Sequence, residues 1–137
     1  MKTSARNELT GKITSIIDGA VMSEVKIAVT AEVTVSATVT KEGLSSLGAK
    51  LNDEVTAIIK ASSIIITKDA VKTTARNVLK GKVIEVNKGA VNSEVKLTLG
   101  TATIFAVVTN DAIEDLSIKV SEDAYAIIKA SSVILMA

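Results

Sequence analysis

The sequence predicts an all-β protein that consists of two tandem five-stranded barrels, each with one short helix. The first observation is an internal repeat, because residues 5–26 match residues 75–96 and residues 57–66 match residues 126–135. A repeat of this length indicates two copies of one structural unit. The second observation is a hydrophobic pattern with a period of two, which is typical of antiparallel strands with one buried face.

The alternation is clearest between Val25 and Val39, where every odd position is apolar and every even position except Ala28 is polar. A single strand of this length would be unusual, so we expect a turn near Thr30–Glu32. The second copy has Gly100 and Thr101 at this point. Further strands of the first copy are predicted at Leu9–Ile17, Val55–Ala61 and Ser63–Ile66.

A short helix is predicted between the third and fourth strands of each copy. In the first copy it covers Lys41–Leu47. In the second copy we expect Asn110 to cap a helix over Asp111–Leu116, with Ile113 and Leu116 facing the core. Five short strands with a helix before the fourth strand follow the order of an OB-type barrel.

The repeat divides the chain into a first domain, residues 1–67, and a second domain, residues 68–137. No linker rich in Pro, Gly or Ser separates them, so we expect the domains to pack closely. A domain of this size buries only a small core, and the chain has no cysteine for a disulfide. Because aliphatic side chains are also in surplus, we expect a homo-oligomer.

The composition argues against several classes of function. With 16 basic and 15 acidic residues, one Tyr and one Phe, the chain lacks the basic, aromatic surface of a nucleic-acid-binding barrel. It has no His and no Cys, which leaves transition-metal cations only carboxylates as ligands. Glu24 and Glu94 have no neighbouring base or nucleophile in the sequence, so we expect no enzyme activity, no catalytic residues and no site for a free metal cation.

The N-terminal segment and the hydrophobic runs bear on location. The first dozen residues are polar and charged, unlike the apolar core of a signal peptide. No run approaches the ~18 apolar residues of a membrane span. We therefore expect a cytoplasmic protein that does not act at a membrane.

Three short motifs occur in the same order in both copies. They are SARN at 4–7, GAVMSEV at 19–25 and KASS at 60–63, then TARN at 74–77, GAVNSEV at 89–95 and KASS at 129–132. Together they resemble the molbindin or Mop family, relatives of the TOBE modules, and two copies resemble its tandem di-Mop form. The resemblance implies trimers of two-domain chains that hold molybdate or tungstate at domain and subunit interfaces, without a cofactor or catalysis.

Molybdate is a tetrahedral dianion whose four oxygens only accept hydrogen bonds, so a fitting site supplies donors. The three motifs are rich in hydroxyl, amide and cationic donors, and their glycines let backbone N–H groups approach a ligand closely. The resemblance therefore implies oxyanion-binding residues in all six segments: Ser4, Arg6, Asn7, Gly19, Ala20, Val21, Met22, Ser23, Lys60, Ala61, Ser62, Ser63, Thr74, Arg76, Asn77, Gly89, Ala90, Val91, Asn92, Ser93, Lys129, Ala130, Ser131 and Ser132.

One position departs from the family pattern, because Met22 stands where the second copy has Asn92. Asparagine carries two N–H donors and methionine has none, so we expect the two copies to differ as sites. The implied function is intracellular molybdenum storage and homeostasis. The alternative is a molybdate-responsive regulatory module that acts on a partner protein in trans.

Overall fold

The computed structural model describes residues 3–137. The first repeat forms five strands, one α-helix and one 3-10 turn: β1 (Arg6–Asp18), β2 (Met22–Ala28), β3 (Thr34–Thr40), α1 (Lys41–Leu47), β4 (Glu54–Lys60), the 3-10 turn Ala61–Ser63 and β5 (Ile64–Thr67). The second repeat forms the same series: β6 (Arg76–Lys88), β7 (Asn92–Thr98), β8 (Thr103–Thr109), α2 (Asn110–Asp115), β9 (Asp123–Lys129), the 3-10 turn Ala130–Ser132 and β10 (Val133–Met136). Both predicted helices and the turn between β2 and β3 are confirmed.

The fifth strand of each repeat belongs to the sheet of the other repeat. One sheet has the strand order β10-β4-β1-β2-β3 and the other has the order β5-β9-β6-β7-β8. The chain crosses between the sheets at each 3-10 turn, since the turn after β4 lies against β8 and the turn after β9 lies against β3. The expected division after residue 67 therefore marks the sequence repeats, but it does not separate the two sheets.

Each sheet curves into a five-stranded barrel. The antiparallel pairs β1–β2, β2–β3, β1–β4 and β4–β10 form the first ladder, and β10 also lies against β3, which closes the sheet. The predicted all-β fold of two OB-type barrels is confirmed. The exchanged strands make the two barrels dependent on each other, because each sheet takes its fifth strand from the other repeat.

Alternating side chains of the strands fill one core that is continuous across both repeats. Val25, Ile27, Val35 and Ala37 are fully buried, as the period of two predicts. Ser36 breaks the alternation, since it is buried although it is polar and lies between two core positions. Its burial against the second repeat shapes a cleft that is described below.

Two glycines of the long first strands, Gly11 and Gly81, lie close to the backbone of the following strand. A Cβ atom on Gly11 would lie 2.2 Å from the backbone oxygen of Ala28, and one on Gly81 would lie 2.8 Å from that of Thr98. No side chain fits at such a distance from backbone atoms, so these positions require glycine. The close approach bends the long first strand of each repeat around its barrel.

The helices begin at threonine caps. Thr40 accepts a hydrogen bond from the N–H of Gly43, and Thr109 accepts one from the N–H of Ala112. The expectation that Asn110 caps α2 is wrong, because Asn110 is already helical and its side chain faces the loop before β7. Leu116 also does not face inward, since it is 36% exposed and Ile118 is buried instead.

Within residues 3–137, no helix is long and apolar enough to cross a membrane.

Candidate functional site

The SARN and KASS segments of the first repeat lie side by side at one end of the sheet, and the second repeat repeats this arrangement. Arg6 pairs with Lys60 in the β1–β4 ladder, and Arg76 pairs with Lys129 in the β6–β9 ladder. The N–H of Ala61 also donates to the carbonyl of Ala5 at 2.9 Å. Antiparallel pairing of the first and fourth strands thus joins two motifs that are far apart in the sequence.

Strand exchange brings the KASS segment of the second repeat to the same place. Since β10 follows this segment and pairs with β4, its serines lie beside Lys60. These segments border a cleft of about 510 Å³, here called the Ser4 cleft, which is lined by Thr3, Ser4, Ala5, Ile58, Lys60, Ser63, Ser131, Ser132, Ile134 and Met136. The Ser4 cleft combines hydroxyl groups from both repeats with one ammonium group.

Several predicted site residues lie outside the Ser4 cleft. Ala61 and Ala130 are the buried first residues of the 3-10 turns. Ser62, Thr74 and Lys129 are exposed and do not line the cleft. Conversely, the sequence does not identify Thr3 as a cleft residue, and no sequence signal indicates that serines of the second repeat complete a cleft of the first.

The two arginines of the motifs form reciprocal ion pairs across the repeats. Arg6 donates from Nε and Nη2 to Glu94 at 3.0 and 2.9 Å, and Arg76 donates in the same way to Glu24 at 3.1 and 2.8 Å. The hydrogen bond to Glu94, together with its negative charge, raises the pKa of Arg6. Neither arginine lines the Ser4 cleft, so each holds one motif of its repeat to the GAVxSE segment of the other.

The two motif asparagines are structural. Asn7 is 1% exposed, and its Nδ2 donates to the carbonyls of Ile59 and Phe105 while its Oδ1 accepts from the N–H of Phe105. Asn77 makes the equivalent bonds to Ile128 and to both backbone groups of Ser36. Both N–H donors of each side chain therefore already have protein acceptors, and oxyanion binding by Asn7 and Asn77 stays a prediction.

The GAVxS segments form the tips of the β1–β2 and β6–β7 hairpins. The N–H of Gly19 donates to the carbonyl of Met22 at 2.7 Å, and that of Gly89 donates to Asn92 at 3.0 Å. This tight closure leaves no room for a Cβ on Gly89, which would lie 2.5 Å from a backbone oxygen. Val91, at the tip of its loop, is 70% exposed.

The loop tips present backbone donors to solvent. Within residues 3–137, the N–H groups at positions 20, 21, 90 and 91 have no protein acceptor. The serines of these loops behave differently, because Ser23 and Ser93 are buried and their hydroxyls donate to Asp18 and Asn110. The free donors of the loops are therefore peptide groups, and oxyanion binding by the hydroxyls of Ser23 and Ser93 stays a prediction.

Different residues hold the two GAVxS loops in place. This difference lies outside position 22 or 92, where the sequence analysis expected the two copies to differ. In the second repeat, Asn110 accepts from Ser93 and donates to the carbonyl of Gly89 at 3.0 Å. In the first repeat Lys41 occupies the equivalent place at the start of the helix, and Ser23 donates to Asp18 at 2.6 Å instead. The first loop thus lies beside an acid and a lysine, where the second has a neutral amide brace.

Among the described residues, 3–137, no group of three or more acidic side chains is placed to hold a metal ion. The fold and these segments define a class of protein: a tandem OB-type barrel with a donor-rich cleft where the two repeats share a sheet. The chain belongs to the TOBE domain family, whose pattern matches residues 3–66 and 73–135. The match covers both repeats and confirms the family resemblance read from the motifs.

Known relatives are named for molybdenum. Over 137 residues the chain is 41% identical to the molybdenum transport protein ModE of Azotobacter vinelandii, covering 98% of this chain and 51% of the relative. It is 36% identical over 138 residues to the molybdenum-pterin-binding protein MopA of Rhodobacter capsulatus, covering 98% and 52%. The chain thus spans about half the length of these curated relatives.

A solved structure matches along the whole chain. It is described as the cytoplasmic molybdate-binding protein ModG with molybdate bound, and it superposes with a TM-score of 0.95 at 39% sequence identity. The match covers 99% of this chain and 99% of ModG. The two proteins therefore share both the repeat arrangement and the overall fold.

Proposed function

We propose that this protein binds molybdate or tungstate for intracellular molybdenum storage and homeostasis, and that it does so without catalysis. The observation that carries the proposal is the Ser4 cleft, where Ser4, Lys60 and Ser63 meet Ser131 and Ser132 from the other repeat. The molybdate-bound relative of the same fold supports the choice of ligand and a cytoplasmic location.

The donor set suits a tetrahedral dianion that carries no proton. Each hydrogen bond to a charged group contributes ~1.5–3 kcal/mol, and a micromolar dissociation constant needs about −8 kcal/mol. Roughly five such bonds suffice before the cost of ordering is included. The Ser4 cleft offers hydroxyl groups at Thr3 and the four serines, besides the ammonium group of Lys60.

A second candidate function is a molybdate-responsive module that acts on a partner protein. It is favoured by one observation, that the chain corresponds to about half of the ModE relative, which carries further sequence. In that case molybdate binding alters a contact made by this chain rather than storing the ion. A pull-down with and without molybdate separates the two, since storage requires no molybdate-dependent partner.

The ligand choice is tested by isothermal titration of the purified protein with molybdate, tungstate, sulfate and phosphate. We expect saturable heats for molybdate and tungstate and much weaker heats for phosphate, whose monoanion carries a proton that needs an acceptor. Light scattering on the same samples tests the expected homotrimer of 14.2 kDa chains. Equal heats for phosphate and molybdate contradict the ligand proposal, and a monomeric mass contradicts the assembly.

The role of Lys60 is tested by the variant Lys60→Gln, which removes the ammonium group from the Ser4 cleft. We expect molybdate affinity at this site to fall roughly ten- to a hundredfold, because one charge-assisted hydrogen bond is lost. Lys12→Gln is the matched control, since Lys12 is also an exposed lysine of the β1–β4 pair but lies at the far end of the ladder. A Lys60→Gln protein that binds like the control would exclude the Ser4 cleft as the site.

The two hairpin loops are tested by exchanging their one unmatched side chain. If the side chain at this position faces the ligand, Met22→Asn strengthens and Asn92→Met weakens binding at the respective loop, each by about ten- to a hundredfold. Both side chains are exposed at the start of β2 or β7, so neither change should disturb the core. Unchanged titrations for both variants would show that the peptide N–H groups alone carry these loops.

A further inference from the structure

The two repeats differ on one face of their sheets at a single aromatic position. Phe105 pairs with Lys96 in the β7–β8 ladder, and Ser36 pairs with Lys26 at the equivalent place in the β2–β3 ladder. In the second sheet, the guanidinium of Arg6 lies 4.4 Å from the centre of the Phe105 ring, and the Lys96 ammonium lies 5.5 Å from it. The ring thus fills the space between two cations.

In the first sheet no ring fills this space. A cleft of about 490 Å³ remains, here called the Ser36 cleft, and it is lined by Thr14, Lys26, Thr34, Ser36, Arg76, Asn77, Val78 and Leu79. It lies apart from the Ser4 cleft and shares no lining residue with it. Because Asn77 is fully engaged with Ser36 and Ile128, it forms the floor of the Ser36 cleft rather than a donor.

The remaining lining groups supply positive charge and free donors. Arg76 uses two of its five N–H groups on Glu24. Within residues 3–137, Lys26 forms no ion pair. Thr34 and Ser36 add hydroxyl groups to the lining, since the bonds of Ser36 to Asn77 are made by its backbone. Lys26 and Arg76 each contribute a positive charge, and Glu24, which pairs with Arg76, contributes one negative charge. The Ser36 cleft therefore has a net positive charge, and its two hydroxyls add further donors.

We propose that the Ser36 cleft is a second anion site, present in the first repeat alone, for a tetrahedral oxyanion group carried by a small molecule. The volume lies within the range of small-molecule sites, ~300–1,000 Å³, and exceeds what one bare oxyanion fills. Val78 and Leu79 add an apolar wall beside the cations. The anionic group lies between Lys26 and Arg76, and the organic part lies against that wall.

The test is a titration of the ¹⁵N-labelled 137-residue protein, followed by NMR at the amides of residues 26, 34, 36 and 78. The probes are glycerol 3-phosphate, inorganic phosphate and molybdate, with glycerol as the uncharged control. We expect saturable shifts at these amides with glycerol 3-phosphate and none with glycerol. Saturation by inorganic phosphate or molybdate as well would show that the bare oxyanion group suffices.

Matched variants make the assignment decisive. Ser36→Phe should abolish the shifts, and it should fold because phenylalanine already occupies the equivalent position in the second repeat. Phe105→Ser should create the same shifts around Lys96. Lys26→Gln should weaken binding roughly tenfold or more, and Lys96→Gln should leave it unchanged.

Three results would overturn the proposal. They are the absence of a saturable shift with all three anions, shifts that persist in Ser36→Phe, and a change of oligomeric mass in Ser36→Phe that shows the cleft to be a subunit contact. In the same spectra, the amide signals of Lys60 and Ser63 report binding at the Ser4 cleft. Failure of the Ser36 cleft is thereby distinguished from failure of molybdate binding at the Ser4 cleft.

Discussion

Ending the chain at Ser132 is expected to unfold the sheet of the first repeat while damaging that of the second much less. The missing strand, β10, completes the sheet β10-β4-β1-β2-β3. Its residue Val133 is 2% exposed and pairs with Ile59, which is fully buried. Burial of one such side chain contributes ~1.5–3 kcal/mol, and the loss also opens the β4 edge of the barrel to water.

The measurement is amide hydrogen exchange, resolved by residue. We expect protection to fall in β4 and β3 of the truncated chain and to persist in β6 and β9. A chain that lacks only Ala137 is the control. Ile66→Ser, in the exchanged strand β5, provides the opposite case, because Ile66 is 5% exposed and pairs with Ala126 in the second sheet. Loss of protection in the same repeat as each change would contradict the strand exchange.

Asn77→Ala is expected to cost about 3–5 kcal/mol of unfolding free energy. The change removes two N–H donors and one acceptor, and it leaves the N–H and carbonyl of buried Ser36 without the side-chain partners that they have in the other repeat. Each buried polar group without a partner costs ~1–3 kcal/mol. A domain is stable by only ~5–15 kcal/mol in total, so this one change removes a large part of the stability.

Urea denaturation followed by circular dichroism measures the effect. Asn87→Ala is the matched control, because Asn87 is exposed and bonds only to the side chain of Glu85. We expect a shift of less than about 0.5 kcal/mol for this surface change. If Asn77→Ala matched the control, the amide would not join the two repeats, and its role as an oxyanion ligand would have to be considered again.

The sequence by itself determined the elements of this protein, because the signals for them are local. The alternation from Val25 to Val39 reports which side chains face the core, and the threonines and glycines that flank α1 fit a short helix. The repeated motifs also identified the family. The predicted strands agree with the structure to within a few residues at their ends.

The partners of the motif side chains were decided by the tertiary structure. Arg6, Asn7 and Ser23 can all donate hydrogen bonds, and the sequence does not show whether the acceptor is an oxyanion or another part of the protein. In the fold, Arg6 meets Glu94, and Asn7 meets the backbone of Phe105, both in the other repeat. Ser23 meets Asp18 across its own hairpin. The sequence shows that a residue can donate a hydrogen bond, but it does not show which acceptor lies nearest to that residue in the folded protein.

Strand exchange could not be predicted from the sequence either, because the exchanged and unexchanged strand pairings have similar energies. The strands β5 (IIIT) and β10 (VILM) are both short and aliphatic, and their neighbours β4 (EVTAIIK) and β9 (DAYAIIK) are nearly the same. Either fifth strand therefore satisfies either edge about equally, so the local pattern is degenerate. Only the path of the 3-10 turns, which pack against β8 and β3 of the opposite repeats, selects the exchanged pairing and with it the shared Ser4 cleft.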